Sequence, residues 1–187
     1  IIMNTIDKQK EFMKTVITFK VVQNGESTVE ILNAMEDGFS EFDRIVKTYT
    51  RFAETSELSN LNRQQGRWIN ISNEFSYLID YMLTLAEKTG GAFDPTVIDF
   101  LETYGYDKNY DFSKLEKPEL DAMVQKMAKE RPSFKQIELD KDNLKVKLVE
   151  NQRLDLGGVG KGYAIDCAFE KLNKFDNFLI DAGGDIR

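Results

Sequence analysis

Apolar and polar positions follow a strand pattern near the start of the chain and then change to a helical spacing. Residues 15–23 read TVITFKVVQ, a run rich in β-branched and aromatic side chains that ends at an Asn-Gly turn, and they predict a β-strand. Residues 27–49 repeat apolar side chains every three or four positions, which predicts a long helix. Residues 50–67 are polar and irregular and predict a surface loop, whereas 68–71 alternate briefly as a short strand does.

The rest of the chain predicts further helices, a hairpin and a last strand. In chain order these are a helix over 73–89 with Ser72 as its N-cap and Gly90-Gly91 as its stop, a helix from Asp94-Pro95 to about Tyr104, a charged helix at about 118–130, a β-hairpin of 134–139 and 144–149, a helix over 158–174 and a strand at 178–180. The order β-α-(β)-α-α-α-β-β-α-β is typical of an α+β fold, in which flanking helices cover a mixed or antiparallel sheet.

Charge and composition exclude several classes of function. Acidic residues outnumber basic ones by 32 to 25, and no basic block is present, so we expect no nucleic-acid-binding surface. The 187 residues contain no histidine, which excludes Ser-His-Asp triads and His-ligated zinc within them. Cys167 is the single cysteine, so neither an intrachain disulfide nor a cysteine-rich metal site is expected.

Three segments combine glycine with carboxylates, and each has both a structural and a ligand-binding interpretation. Residues 89–96 (TGGAFDPT) are either a helix stop followed by a helix start or a backbone site for a ligand that faces a helix N-terminus. Residues 153–163 (RLDLGGVGKGY) carry four glycines and a lysine before a helix, which suits a phosphate, although the P-loop pattern does not fit. Residues 181–185 (DAGGD) are either a simple turn or a source of oxygen ligands for Mg²⁺.

Five ordered segments together resemble the motifs of the FAD:protein FMN transferase family, also called the ApbE or thiamine-biosynthesis-lipoprotein family. They are FAETSELSNLN at 52–62, TGGAFDPT at 89–96, YGY at 104–106, LDLGGVGKGYAID at 154–166 and DAGGD at 181–185. The resemblance covers about residues 15–187 and implies an ApbE-like α+β fold related to the T-fold. One departure is that the family's flavin-contacting methionine of the first strand has no clear counterpart in Val16-Ile17-Thr18.

The resemblance implies a Mg²⁺-dependent enzyme that cleaves FAD, releases AMP and attaches FMN by a phosphoester bond to a Thr or Ser of a target flavoprotein subunit. An FAD pyrophosphatase that yields FMN and AMP, and an inactive flavin-binding fragment, are the alternatives. By position, the residues implied to contact FAD are Phe52, Ala92, Phe93, Asp94, Asp155 and Lys161, of which Asp155 and Lys161 are the implied catalytic pair, and Gly158 offers a backbone oxygen to the metal.

The same resemblance carries expectations about domain, location and partners. Residues 1–187 are expected to form the N-terminal two-thirds of a single flavin transferase domain, with the family's C-terminal part absent from the chain. Typical members are extracytoplasmic and anchored to the membrane by a lipid, which here would lie outside the chain, and a cytoplasmic location is the alternative. The expected partners are FAD and the target flavoprotein.

Overall fold

A computed structural model of the chain describes residues 4–106 and 117–187. In chain order the elements are β1 (Asn4–Phe12), β2 (Thr15–Gln23), α1 (Thr28–Tyr49), α2 (Glu57–Asn62), β3 (Trp68–Asn70), α3 (Asn73–Lys88), α4 (Ile98–Thr103), α5 (Lys117–Glu130), a 3-10 helix (Phe134–Gln136), β4 (Glu138–Asp140), β5 (Lys145–Lys147), α6 (Gly160–Leu172), β6 (Phe178–Ala182) and β7 (Asp185–Ile186). The chain divides into two compact units, Ile1–Thr50 with Gly157–Arg187 and Arg51–Leu156.

The first unit combines a four-stranded sheet of order β1-β2-β6-β7 with α1 and α6. Strand β2 has the predicted bounds, and its alternate side chains Ile17, Phe19 and Val21 are fully buried. Phe19 packs on α1, where its ring stacks on Phe39 with the centroids 4.2 Å apart. The hydroxyl of Ser27 caps the first turn of α1, and the predicted long helix is thereby confirmed.

The second unit combines a three-stranded sheet of order β3-β5-β4 with α2 to α5. Helix α3 begins after Ser72, whose hydroxyl accepts a hydrogen bond from the N–H of Phe75 at 3.1 Å. It is followed by Gly90 and Gly91, which have positive φ angles of 61° and 86°, as a glycine helix stop requires. The predicted cap, stop and hairpin are confirmed. Both sheets are antiparallel throughout, so the α+β prediction is confirmed as well.

Several predicted boundaries are wrong. The segment 50–67, predicted as a loop, contains α2, because Ser56 caps a single short turn of helix through the N–H of Ser59. The predicted helix start at Asp94-Pro95 is wrong, because the Asp94 carboxylate closes a local turn and the helix begins only at Ile98. The start of the predicted hairpin is also wrong in type, because 134–136 is a 3-10 helix rather than strand, and α6 is shorter than the predicted 158–174.

Strand β1 has no counterpart in the sequence-based prediction. Its residues 4–12 read NTIDKQKEF, in which polar side chains occupy most positions on both faces, so the apolar alternation of a half-buried strand is weak. The strand pairs with β2 along its whole length through a turn in which Met13 and Lys14 both have positive φ. Across residues 4–106 and 117–187, no helix combines the length and the apolar character needed to cross a membrane.

Candidate functional site

Three of the motif segments meet in the second unit at the backbone that carries Asp155. Asn62, the last residue of α2, donates its side-chain N–H to the carbonyl of Leu154 at 2.8 Å, and its side-chain oxygen accepts from the N–H of Leu154, also at 2.8 Å. The next N–H, that of Asp155, donates to the carbonyl of Pro95 at 2.9 Å. The SELSNLN and TGGAFDPT segments therefore fix the position of Asp155 through hydrogen bonds to the backbone of residues 154 and 155.

The side chain of Asp155 lies beside a buried arginine. Its Oδ1 is 3.5 Å from Nη1 of Arg51, and the two side chains are 14% and 10% exposed, respectively. Arg51 also donates to the carbonyl of Tyr106 and lies 4.7 Å from the centroid of the Phe52 ring. Two predicted site residues, Phe52 and Asp155, thus contact the same guanidinium group. Sequence analysis does not predict Arg51 as a site residue, although it directly precedes the first motif segment.

The TGGAFDPT segment forms a turn that Asp94 holds together. Oδ1 of Asp94 accepts from the N–H and the hydroxyl of Thr96, at 2.8 and 2.6 Å. Oδ2 accepts from Arg131 at 2.6 Å, and the side chain is only 6% exposed. Both carboxylate oxygens therefore have partners within the protein. Ala92 is exposed and Phe93 half-buried, so the surface that this segment presents to a ligand lies just before Asp94. The predicted FAD contacts of all three stay predictions.

The first unit carries the other two predicted site residues, Gly158 and Lys161. Lys161 lies in the first turn of α6, and its Nζ is 2.8 Å from Oδ2 of Asp185, with both side chains partly in solvent. Asp185 belongs to the DAGGD segment, which is the tight turn between β6 and β7, and Asp181 closes this turn by accepting from the N–H of Gly184 at 2.9 Å. These hydrogen bonds are the ones expected if the segment is a simple turn. The sequence alone does not indicate that Asp185 is the partner of Lys161.

Arg153 ties the segment before Asp155 to α4. Its guanidinium bonds to the carboxylates of Asp99 and Glu102. Partial burial works to lower the pKa of Arg153, but the hydrogen bonds with Glu102 and Asp99 outweigh it, and the net effect raises the pKa above its ordinary value. Arg153 therefore stays charged and holds this backbone at a second point.

The predicted Mg²⁺ site is not assembled by the described residues alone. Gly158 lies in the exposed turn before α6 and could offer only its backbone oxygen, but Mg²⁺ requires octahedral oxygen coordination. Within residues 4–106 and 117–187, no three Asp, Glu or Cys side chains cluster as metal ligands. Any further ligands would have to come from substrate phosphates, water or residues outside the described ranges.

Comparison with known proteins shows what the chain is similar to. Residues 13–187 match the model of the ApbE family. The FAD:protein FMN transferase of Haemophilus influenzae is 26% identical over 174 residues, which are 89% of this chain and 47% of that protein. The enzyme of the same name from Treponema pallidum is 28% identical over 174 residues, 88% of this chain and 46% of that protein. The chain spans about half the length of these curated relatives.

A solved structure supports the same relationship at the level of the fold. The crystal structure of the ApbE protein from Thermotoga maritima has a TM-score of 0.83 to this chain at 28% identity. The match covers 98% of this chain and 58% of that one. The α+β arrangement described above is therefore the arrangement found in that protein.

Proposed function

The chain belongs to the ApbE family, and from this premise we propose that it acts, or forms part of a protein that acts, as an FAD:protein FMN transferase. The observation that carries the proposal is the convergence of the motif segments on Asp155 in the second unit. The proposed products are AMP and a target flavoprotein with FMN bound covalently to a Thr or Ser. Such an assignment makes the TGGAFDPT segment and the backbone at Asp155 parts of an FAD-binding surface in the second unit.

In the proposed reaction, the hydroxyl oxygen of the target Thr or Ser attacks the phosphorus of the FMN half of FAD. The new P–O ester bond forms as the phosphoanhydride bond breaks, AMP leaves with the bonding electron pair, and the hydroxyl proton passes to a base. Negative charge develops on the phosphate oxygens during this step, so a cation fixed beside them lowers the barrier.

Lys161 suits the role of that cation. Its present partner Asp185 is more than half exposed, and an exposed ion pair contributes only about 0–1 kcal/mol. Exchanging Asp185 for a substrate phosphate therefore costs little. Asp155 suits a different role, because an ionised carboxylate only accepts hydrogen bonds and repels phosphate. We assign it to a donor group of the substrate, such as a hydroxyl or an amine.

Dependence on Mg²⁺ is the third part of the proposal. A divalent ion would neutralise charge on the pyrophosphate, and the backbone oxygen of the exposed residue Gly158 is the ligand that this chain would supply. We expect EDTA to abolish activity and added Mg²⁺ to restore it, and full turnover in excess chelator would contradict this part. An extracytoplasmic location with a lipid anchor outside the chain is proposed on the family resemblance.

The decisive assay incubates the purified protein with FAD, Mg²⁺ and a target flavoprotein domain. Covalent flavin on the target, detected by in-gel fluorescence and intact mass, supports the transferase. FMN and AMP without labelled target would instead assign an FAD pyrophosphatase. Flavin binding without either product would leave a binding protein and refute the enzymatic proposal.

Lys161→Ala tests the cation directly. The matched control is Lys171→Ala, because Lys171 lies on the same helix and also pairs with a carboxylate, that of Glu41 at 3.2 Å. We expect Lys161→Ala to lower transfer by about 10²-fold, the usual loss when one group that stabilises transition-state charge is removed. Lys171→Ala should retain wild-type turnover. Equal turnover of the two variants would remove Lys161 from the mechanism.

A further inference from the structure

Arg51 is a buried cation whose hydrogen-bonding capacity is only partly used. Its side chain is 10% exposed, and its Nη2 donates to the carbonyl of Tyr106. Among the described residues, its Nε and Nη1 find no hydrogen-bond partner although both atoms are buried. Burying donor atoms without acceptors is costly, so a guanidinium kept in this state requires an explanation beyond packing.

The surroundings of Arg51 supply that explanation. Among residues 4–106 and 117–187, the carboxylate oxygen that pairs with Arg51 is Oδ1 of Asp155, 3.5 Å from Nη1, which is longer than the ~2.8 Å of a charge-assisted hydrogen bond. The ring of Phe52 lies 4.7 Å away, within the range of a cation–π contact. A carboxylate, an aromatic face and a backbone carbonyl from three separate motif segments therefore share one guanidinium.

We propose that Arg51 is a positioning residue, which orients the Asp155 carboxylate and the Phe52 ring for FAD without touching FAD itself. This inference rests on the proposed function. The planar guanidinium can hold a carboxylate edge-on and an aromatic ring face-on at the same time, which a lysine ammonium cannot do. A modest movement of Asp155 that shortens its contact to Nη1 would also satisfy one of the unpaired donors. FAD binding and the Arg51–Asp155 contact are therefore coupled.

A second arginine shows a version of this arrangement in which the guanidinium and the carboxylate are closely paired. Arg131 also pairs with a carboxylate, Asp94, and lies 5.1 Å from the ring of Phe100. Its bond to Asp94 is short, at 2.6 Å, and its Nη1 donates to the hydroxyl of Thr96 at 3.1 Å. In that cluster the carboxylate and the guanidinium hold one turn closed. Arg51, by contrast, has a longer contact and unpaired donors beside a predicted FAD ligand.

A double-mutant cycle on FAD affinity tests the coupling. FAD dissociation constants are measured by flavin fluorescence for the wild type, Arg51→Met, Asp155→Asn and the double variant. We expect Arg51→Met to weaken binding at least tenfold when Asp155 is present and less than twofold in the Asp155→Asn background. Arg51→Lys, measured in both backgrounds, should fall between wild type and Arg51→Met, and it carries the comparison if the methionine variant does not fold.

The control is Arg63→Met. Arg63 is exposed and donates to the carbonyl of Glu54 at 2.8 Å rather than to Asp155, and its loss should leave FAD affinity unchanged. Equal effects of Arg51→Met in both backgrounds, or a lower Tm with unchanged FAD affinity, would overturn the positioning role and leave the transferase proposal intact. Failure of the wild type to bind FAD would overturn both.

Discussion

Replacing Asn62 with alanine is expected to destabilise the second unit by about 2–4 kcal/mol. The Asn62 side chain satisfies both backbone polar groups of Leu154, with two hydrogen bonds of 2.8 Å. Leu154 is 0% exposed, so water cannot readily replace the lost partner. A hydrogen bond contributes about 0.5–1.5 kcal/mol net, and a buried group left unpaired costs about 1–3 kcal/mol. Two such groups account for the expected loss.

The assay can follow the second unit by itself, because Trp68 is the single tryptophan and lies on β3. Its fluorescence is recorded during urea unfolding and compared with far-UV circular dichroism of the whole chain. In a chain of this size, a loss of 3 kcal/mol corresponds to a decrease in Tm of roughly 6–12 °C. The fluorescence transition should move to lower urea concentration by the same free energy.

Two further variants distinguish the effect of losing the Asn62–Leu154 hydrogen bonds from the general effect of removing an asparagine side chain. Asn60→Ala is the matched control on the same helix, because the Asn60 side chain is exposed and bonds only locally to Gln64, and it should cost less than about 0.5 kcal/mol. Asn62→Asp keeps an acceptor for the N–H of Leu154 but turns a carboxylate oxygen toward its carbonyl, so it should still be destabilising. The reasoning is refuted if Asn62→Ala and Asn60→Ala unfold at the same urea concentration.

Two further predictions concern the first unit. Gly183→Ala should destabilise it by about 1–3 kcal/mol, because Gly183 has a φ of 66° and an added Cβ would clash with Oγ1 of Thr15 on β2. Gly25 also has a positive φ, of 99°, but no atom lies within 4 Å of its added Cβ, so Gly25→Ala should cost only the backbone strain in the same urea titration. Burial works to raise the pKa of Glu41, but hydrogen bonds from Arg44 and Lys171 lower it below 4.5 overall. Glu41 therefore stabilises the fold above its unfolded pKa and loses this effect as pH falls through the folded value, so the deficit of Glu41→Gln, at most about 1 kcal/mol, should shrink between pH 6 and pH 3.

The elements that could be predicted from sequence are those specified by neighbours along the chain. Helices α1 and α3 have a serine cap and enough turns for a 3.6-residue period to show, and β2 alternates over nine residues. Helix α2 could not be predicted because its six residues bury too few side chains to show a helical period. Strand β1 could not be predicted because its pairing with β2, rather than an apolar face of its own, determines its conformation.

The same limit applies to the candidate site. The family resemblance implies Asp94, Asp155 and Lys161 as site residues, because each lies in a short motif that can be recognised from adjacent residues. The contacts of Asn62 with Leu154 join positions 92 residues apart, and no local pattern reports them. The role of Arg51 could not be predicted for the same reason, since its burial and its carboxylate partner arise only when distant segments fold together.

A motif match also cannot tell a residue that binds a ligand from one that shapes the backbone. The structure adds which protein groups each side chain already contacts. Asp94 has protein donors on both oxygens and little exposed surface, so the fold alone accounts for an aspartate at that position. Lys161 has one carboxylate partner, exposed to solvent, so an incoming phosphate can displace that partner at little cost. Electrostatic catalysis requires a charge that is held in place and still accessible. Of these two motif residues, Lys161 is the one that we propose for this role, whereas the FAD contact of Asp94 stays a prediction.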